Sequence, residues 1–217
     1  MTLFVKICGI RDPEMAHTCA EAGATAIGCV LAEGSPRTIS FERACAIHAA
    51  LPPSVACIAV VQGPQVVDHD LARWPGGVQF HGSETAQQIS EFATRSPRRT
   101  DRWIVKVIKG PLDDILPWDS HPLIDAILVD GDDAGSGKAH SSEWLEHLAS
   151  IRPRLTKPVI LAGGLTPESV GRAIELVRPD GVDVSSGVER TRGVKDPSRI
   201  VDFVLAAREA HDRLHRR

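Results

Sequence analysis

The chain of 217 residues has no Cys-x-x-Cys pair, no apolar run near the ~18 residues a membrane span requires, and no Gly-x-Gly-x-x-Gly turn after its first apolar run. It also lacks an excess of either charge, with a formal net charge of -3. Each absence removes a class of function. Disulfide frameworks and zinc ribbons need paired or closely spaced cysteines, whereas Cys8, Cys19, Cys29, Cys45 and Cys57 are odd in number and scattered. Near-neutral charge gives no general attraction for nucleic acid or anionic lipid, and the bases at Arg208, Arg213, Arg216 and Arg217 suit the dipole at a helix end. No charged-then-apolar leader occupies Met1 to Asp12. The expectation is a cytoplasmic protein with no nucleic-acid partner, no membrane and no metal.

What is present is enough apolar material, 42% of residues against 24% charged, to bury one sizeable core, so residues 1–217 are expected to form a single domain. Apolar runs that read as strands occupy Phe4 to Ile7, Ala26 to Leu31, Val55 to Val61, Gly77 to Phe80, Trp103 to Ile108, Ala126 to Val129, Val159 to Ala162 and Gly181 to Val184. Helical segments lie between them. Three should open with a capping residue followed by proline, at Asp12-Pro13, Thr166-Pro167 and Asp196-Pro197. Their apolar faces are Met15, Ala16, Cys19 and Ala20; Val170, Ala173, Ile174 and Val177; and Ile200, Val201, Val204 and Leu205. Gly23 supplies a stop for the first. The segments after the third and fifth strands are short, that from Pro111 to Trp118 being little more than a turn.

Eight non-alternating strands interleaved with helices predict an α/β protein, a single-domain (β/α)8 TIM barrel. A doubly wound open sheet is the runner-up, disfavoured by the missing dinucleotide-binding turn. In a barrel the site is built at the C-terminal ends of the strands. There, Gly163 and Gly164 follow strand seven, and Ser185, Ser186 and Gly187 follow strand eight. Glycine backbone and serine hydroxyls in those two loops form a candidate phosphate cradle. Strand one ends at Cys8 and strand six at Asp130. A thiolate opposite a carboxylic acid is a proton-transfer pair, provided the surroundings bring both pKa values toward neutrality. A buried thiol and a capping aspartate are the alternatives.

Five stretches then carry a resemblance: Val5-Lys6-Ile7-Cys8-Gly9-Ile10, Ser35-Pro36-Arg37, Gln79-Phe80-His81-Gly82, Leu161-Ala162-Gly163-Gly164-Leu165, and the run from Gly181 to Glu189. In this order, and on to Gly193-Val194-Lys195-Asp196-Pro197, they resemble the phosphoribosylanthranilate isomerases of tryptophan biosynthesis. The resemblance implies a barrel of the ribulose-phosphate-binding type and a cofactor-free Amadori rearrangement of a small phosphorylated substrate. It makes Asp130 the general acid that opens the sugar ring and Cys8 the general base that takes the proton from sugar C2. It gives Arg37 the anthranilate carboxylate, Asp183 the ribose hydroxyls, and Gly164, Ser186 and Gly187 the phosphate. Arg37 could instead form a surface ion pair, and Gln79 and His81 could serve as substrate contacts, core or supporting residues.

Departures from the family pattern cluster near the aromatic end of the substrate: Cys29 and Leu31 in strand two, Gln62 after strand three, and the polar segment Gly135 to Trp144, which includes His140. Strand packing is the alternative for Cys29 and Leu31. Two other readings remain open, a diverged isomerase of another phosphoribosylated amine and a non-catalytic phosphosugar-binding barrel. Monomer and homodimer are both compatible with the sequence.

Overall fold

The computed structural model describes residues 2–63, 69–95, 103–131 and 140–216. Eight parallel strands close into a barrel in sequence order: β1 Phe4–Cys8, β2 Ala26–Val30, β3 Ala56–Val61, β4 Gly77–Phe80, β5 Ile104–Lys109, β6 Ala126–Asp130, β7 Val159–Leu161 and β8 Gly181–Val184. Closure comes from β1 pairing with β8, with Phe4 opposite Gly181 and Lys6 opposite Asp183. That pairing excludes the open doubly wound sheet. Around the barrel run α1 Pro13–Ala22, α2 Phe41–Ala50, α3 His69–Arg73, α4 Ala86–Arg95, α5 Leu116–Asp119, α6 Ser142–Ile151, α7 Val170–Val177 and α8 Pro197–His215. A small antiparallel pair, β9 Glu189–Thr191 and β10 Val194–Lys195, sits between β8 and α8.

Strand alternation divides the side chains between two cores. Val105, Val107, Ala126, Leu128, Ile160 and Ala162 fill the barrel, with Phe4 packed against them. Val5, Ile7, Ile27, Cys29, Cys57, Val78 and Phe80 join the larger core shared with the helices, among whose members are Cys19, Ile47, Ile89, Leu148, Ile174 and Phe203. Strands buried on both faces read as unbroken apolar runs, which is why their sequence signal is strong. Buried polar side chains that point inward, Lys6, Gln79, Asp130 and Asp183, break the pattern. Lys6 is fully buried inside the barrel.

Two helix starts behave as expected. Asp12 accepts from the Met15 N–H ahead of Pro13, and Asp196 accepts from the N–H groups of Ser198 and Arg199 ahead of Pro197. Gly23 ends α1 in the left-handed region at φ 94°. The third start differs, because α7 begins at Val170 rather than at Pro167. The Thr166 N–H donates to the Ser169 hydroxyl at 2.9 Å, tying Thr166 to Ser169 as a separate turn. The α8 face also differs: Ile200, Phe203, Val204, Ala207 and Ala210 are buried, whereas Val201 and Leu205 are exposed. An i, i+3, i+4, i+7 stripe is what one side of a helix offers to α1 and α7, and Val201 and Leu205 lie off it. No helix among the described residues is long and apolar enough to cross a membrane.

Candidate active site

The C-terminal mouth of the barrel encloses a cavity of about 360 Å³, a size suited to a small molecule. Cys8, Arg37, Gln79, His81, Asp130, Gly163, Gly164, Asp183, Ser185 and Ser186 all line it. Gly187 does not. Its Cα packs against the Leu165 carbonyl, where a side chain would collide with backbone, so this glycine serves close approach of the two loops. A larger surface groove of about 680 Å³ lies between the starts of α1 and α2 and the β9–β10 pair, and none of these strand-end residues lines it. Among the described residues no group of His, Cys, Asp and Glu side chains is arranged to hold a metal ion.

Asp130 is the last residue of β6 and points into the mouth. Burial, reinforced by the negative charge of Asp183, pushes its carboxyl up to about 6, while Lys109 pulls the other way. Cys8 is also 7% exposed at the end of β1, and its thiol moves away from neutrality rather than toward it. Burial drives that upward shift; Lys6 and Lys195 oppose it, and Asp183 adds to it. Asp130 is therefore shifted toward neutrality, whereas Cys8 rests as a thiol.

Buried cations surround these two groups. Lys6 Nζ donates to Asp183 Oδ1 at 2.9 Å, so Asp183 faces a lysine inside the barrel as well as the cavity. Lys195 Nζ donates to the Ser185 carbonyl at 2.8 Å and to Glu189 Oε1 at 3.0 Å. Arg37 grips Glu189 with two bonds, Nε to Oε1 at 2.6 Å and Nη2 to Oε2 at 2.9 Å. Despite its burial, Glu189 is held down to about 2 by Arg37, the Gly193 N–H and Lys195. The ion pair expected as an alternative for Arg37 thus exists, and it is buried on the Glu189 side. It fixes the guanidinium at the cavity edge and leaves Nη1 uncommitted to Glu189.

On the opposite rim, Gln79 Nε2 lies 3.2 Å from His81 Nδ1. Burial and the nearby lysines 109, 6 and 106 lower His81 to about 3, so its ring is neutral. Gln79 Oε1 is buried beside the cavity with no hydrogen-bond partner among the described residues. Behind this rim Glu84 accepts from the N–H groups of Gly63 and Gly82 at 3.0 Å and from Lys106 at 2.9 Å, which ties together the loops after β3 and β4.

Gly163 and Gly164 have φ values of +90° and +61°, a conformation that suits glycine. A Cβ on Gly163 would stand 2.7 Å from Asp130 Oδ1 and 2.7 Å from the Gly131 nitrogen. Among the described residues the N–H groups of Gly164, Ser186 and Gly187 donate to no protein acceptor. The Ser185 hydroxyl turns inward instead, donating to the Cys8 carbonyl at 3.2 Å. Backbone donors rather than that hydroxyl are therefore what the loops after β7 and β8 present.

The substituted positions separate into two groups. Cys29 and Leu31 pack toward the helices, with the Cys29 and Cys57 sulfurs 3.8 Å apart, so strand packing accounts for both. Gln62 lines the mouth, whose apolar wall is Val30, Ala32 and Val60 next to Cys8. His140 is not in the cavity lining; it bonds the Ala162 carbonyl and stacks on Trp144 at 4.1 Å. Gly135 to Ala139 lie outside the described residues. Lys6, Lys109, Glu189 and Lys195 were not singled out from sequence. For Lys6 the available signal was a charge within an otherwise apolar strand.

The model of the N-(5'-phosphoribosyl)anthranilate (PRA) isomerase family matches residues 5–206. An N-(5'-phosphoribosyl)anthranilate isomerase of Methanopyrus kandleri is 38% identical over 216 residues, covering 94% of this chain and 98% of its own. The crystal structure of phosphoribosyl anthranilate isomerase from Thermotoga maritima superposes with a TM-score of 0.83 at 32% identity, over 96% of this chain and 100% of that one. A phosphoribosyl anthranilate isomerase in complex with reduced 1-(o-carboxyphenylamino)-1-deoxyribulose 5-phosphate gives a TM-score of 0.79 at 32% identity, with the same coverage of 96% and 100%.

Proposed function

The chain belongs to the N-(5'-phosphoribosyl)anthranilate isomerase family, and from that premise we propose how its own residues carry out the isomerisation in tryptophan biosynthesis. The substrate is N-(5-phosphoribosyl)anthranilate and the product 1-(2-carboxyphenylamino)-1-deoxyribulose 5-phosphate. The phosphate lies against the cavity-lining Gly164 and Ser186, whose N–H groups donate to no protein acceptor among the described residues. The sugar then spans the mouth between Cys8 and Asp130. The anthranilate ring rests on Val30, Ala32 and Val60, with its carboxylate at the Arg37 guanidinium.

Asp130 gives its proton to the furanose ring oxygen; the C1–O bond breaks as the nitrogen lone pair forms a C=N bond, leaving a Schiff base. Cys8 thiolate then removes the C2 proton, and the electron pair moves to neutralise the iminium, giving an enolamine that tautomerises to the C2 ketone. Every step is a proton transfer or bond shift within the substrate, so side chains suffice. Asp183, opposite Lys6, is placed to accept from the ribose hydroxyls. Gln79 and His81 supply neutral polar groups at the far rim. We read residues 1–217 as one catalytic domain, cytoplasmic, acting as monomer or homodimer.

The observation that carries this reading is Asp130: a carboxyl raised to about 6 at a strand end, in a cavity that also holds a thiol and backbone N–H groups with no acceptor among the described residues. Purified protein should convert phosphoribosylanthranilate, measured by loss of substrate fluorescence. Cys8→Ala and Asp130→Ala should each lower turnover at least about a hundredfold while still binding a phosphorylated product analogue. Unchanged turnover in both variants would reject the acid–base assignment. Failure of the wild type on this substrate, with turnover of another phosphoribosylated amine, would favour a diverged specificity.

A further inference from the structure

A charge inside a barrel needs a reason, and Lys6 is the largest buried exception to the apolar filling of this one. It lies two residues before Cys8 on β1, so both side chains point inward, and its register partner across the β1–β8 closure is Asp183. Residue 28, the register partner of Cys8 on β2, is glycine. A Cβ built there would stand 2.8 Å from Cys8 Sγ and 3.0 Å from Lys6 Nζ. Both atoms therefore occupy the space that any other residue at 28 would fill. Burying an ammonium is costly unless it is paired. Asp183 provides one pairing, yet the lysine head also lies against a group that is neutral at rest and becomes an anion only during the reaction.

Resting on the functional reading above, we propose that Lys6 is a positioning residue for Cys8, whose ammonium, anchored by Asp183 and given room by Gly28, holds the thiolate in place as it takes the C2 proton. Lys6 acts through the Cys8 sulfur and not on the substrate itself. When the thiol ionises, the lysine exchanges a contact with a dipole for a contact with a charge, in a site where low dielectric makes that exchange strong. The other charged groups facing Cys8 are Asp183 from β8, Lys195 from β10 and Arg37 from the loop after β2. Lys195 and Arg37 are both committed to Glu189. Lys6 shares its carboxylate with the cavity, and among the cations acting on the thiol it exerts the largest downward pull.

The test is the pH dependence of Cys8 alkylation by iodoacetamide, followed by peptide mass spectrometry so that the other four cysteines do not enter. In Lys6→Gln, which keeps a donor for Asp183 and removes the charge, the alkylation midpoint should rise by about one pH unit or more, so that below the midpoint the rate falls about tenfold. The alkaline limb of kcat/KM should move with it, while affinity for the phosphorylated product analogue stays within about threefold. A folded Lys6→Gln protein with the wild-type midpoint overturns the proposal, whatever its turnover. Should that variant fail to fold, Gly28→Ala keeps both charges and pushes the Lys6 head and the sulfur apart. Its midpoint should rise, and an unmoved midpoint in that variant overturns the proposal equally. Turnover of the wild-type enzyme is scored separately, so an error in substrate identity would not be mistaken for an error about Lys6.

Discussion

At the scale of single residues, the two proposed proton-transfer groups are tuned in the same direction, and that has a kinetic consequence. The proposed chemistry requires Asp130 protonated and Cys8 ionised, yet burial raises the carboxyl to about 6 and the thiol above its ordinary value. Between those two values the dominant form is carboxylate with thiol, and the productive form is a minority in constant proportion to it. Below about 6 the dominant form gains a proton that the productive form lacks, so kcat/KM falls as pH falls. Above the thiol value the dominant form has lost both protons, so kcat/KM falls as pH rises. The profile is therefore a plateau with an acid limb belonging to Asp130 and an alkaline limb belonging to Cys8, the reverse of the usual assignment of base and acid limbs. Measured from pH 5 to 10.5, Asp130→Glu should shift the acid limb and Cys8→Ser should abolish the alkaline one in whatever activity survives. An acid limb that moves in Cys8→Ser but not in Asp130→Glu would contradict the assignment.

At the scale of elements, the loops after β7 and β6 meet at a point with no spare volume. Gly163 is pressed against the Asp130 carboxylate and the Gly131 backbone while holding φ at +90°. Gly163→Ala should therefore cost about 1–3 kcal/mol of stability through strain, and should lower kcat more than stability alone explains because the methyl group displaces Asp130, the proposed general acid. Urea unfolding and turnover of the folded variant measure the two effects; a variant with normal kcat would separate the loop from the placement of Asp130. The same elements explain what the sequence could and could not announce. Strand positions were legible to within a residue or so because both faces of each strand are buried, making an unbroken apolar run bounded by turn residues. Cys8 and Asp130 were legible because each closes such a run. Lys6 with Asp183, and Glu189 with Arg37 and Lys195, were not, because their partners are 177, 152 and 6 residues away and meet only on barrel closure or across the β9–β10 pair. The start of α7 was misplaced for a local reason, since Ser169 outcompetes Thr166 as the organiser of that turn by accepting its N–H.

At the scale of the whole molecule, the active-site carboxyl is a stability defect that the rest of the barrel must offset. Moving Asp130 from its ordinary 3.8 to about 6 means that the folded state binds a proton more tightly than the unfolded chain does. Folding is then favoured below the unfolded value and weakened as pH rises through the folded one, the opposite of an ion-paired aspartate. The full penalty is on the order of 3 kcal/mol and is present at pH 8. Glu189 acts with the other sign: its carboxyl is held down to about 2, so its contribution is present above the unfolded value and is lost progressively as pH falls from there through the folded one. Between pH 4 and 8 His81, lowered to about 3, costs stability as pH falls through its unfolded value and opposes Asp130, so the Asp130 signature is read from the difference between wild type and an Asp130 variant. Asp130→Asn removes the ionisation and keeps the shape, so it should raise the melting temperature at pH 8 by roughly 5 °C or more and change it little at pH 4. Differential scanning calorimetry of the two proteins at both pH values measures this directly. Equal stabilisation at both pH values would mean that the gain comes from packing of the amide and not from relief of a buried charge, and it would remove the support that the raised carboxyl gives to the general-acid role.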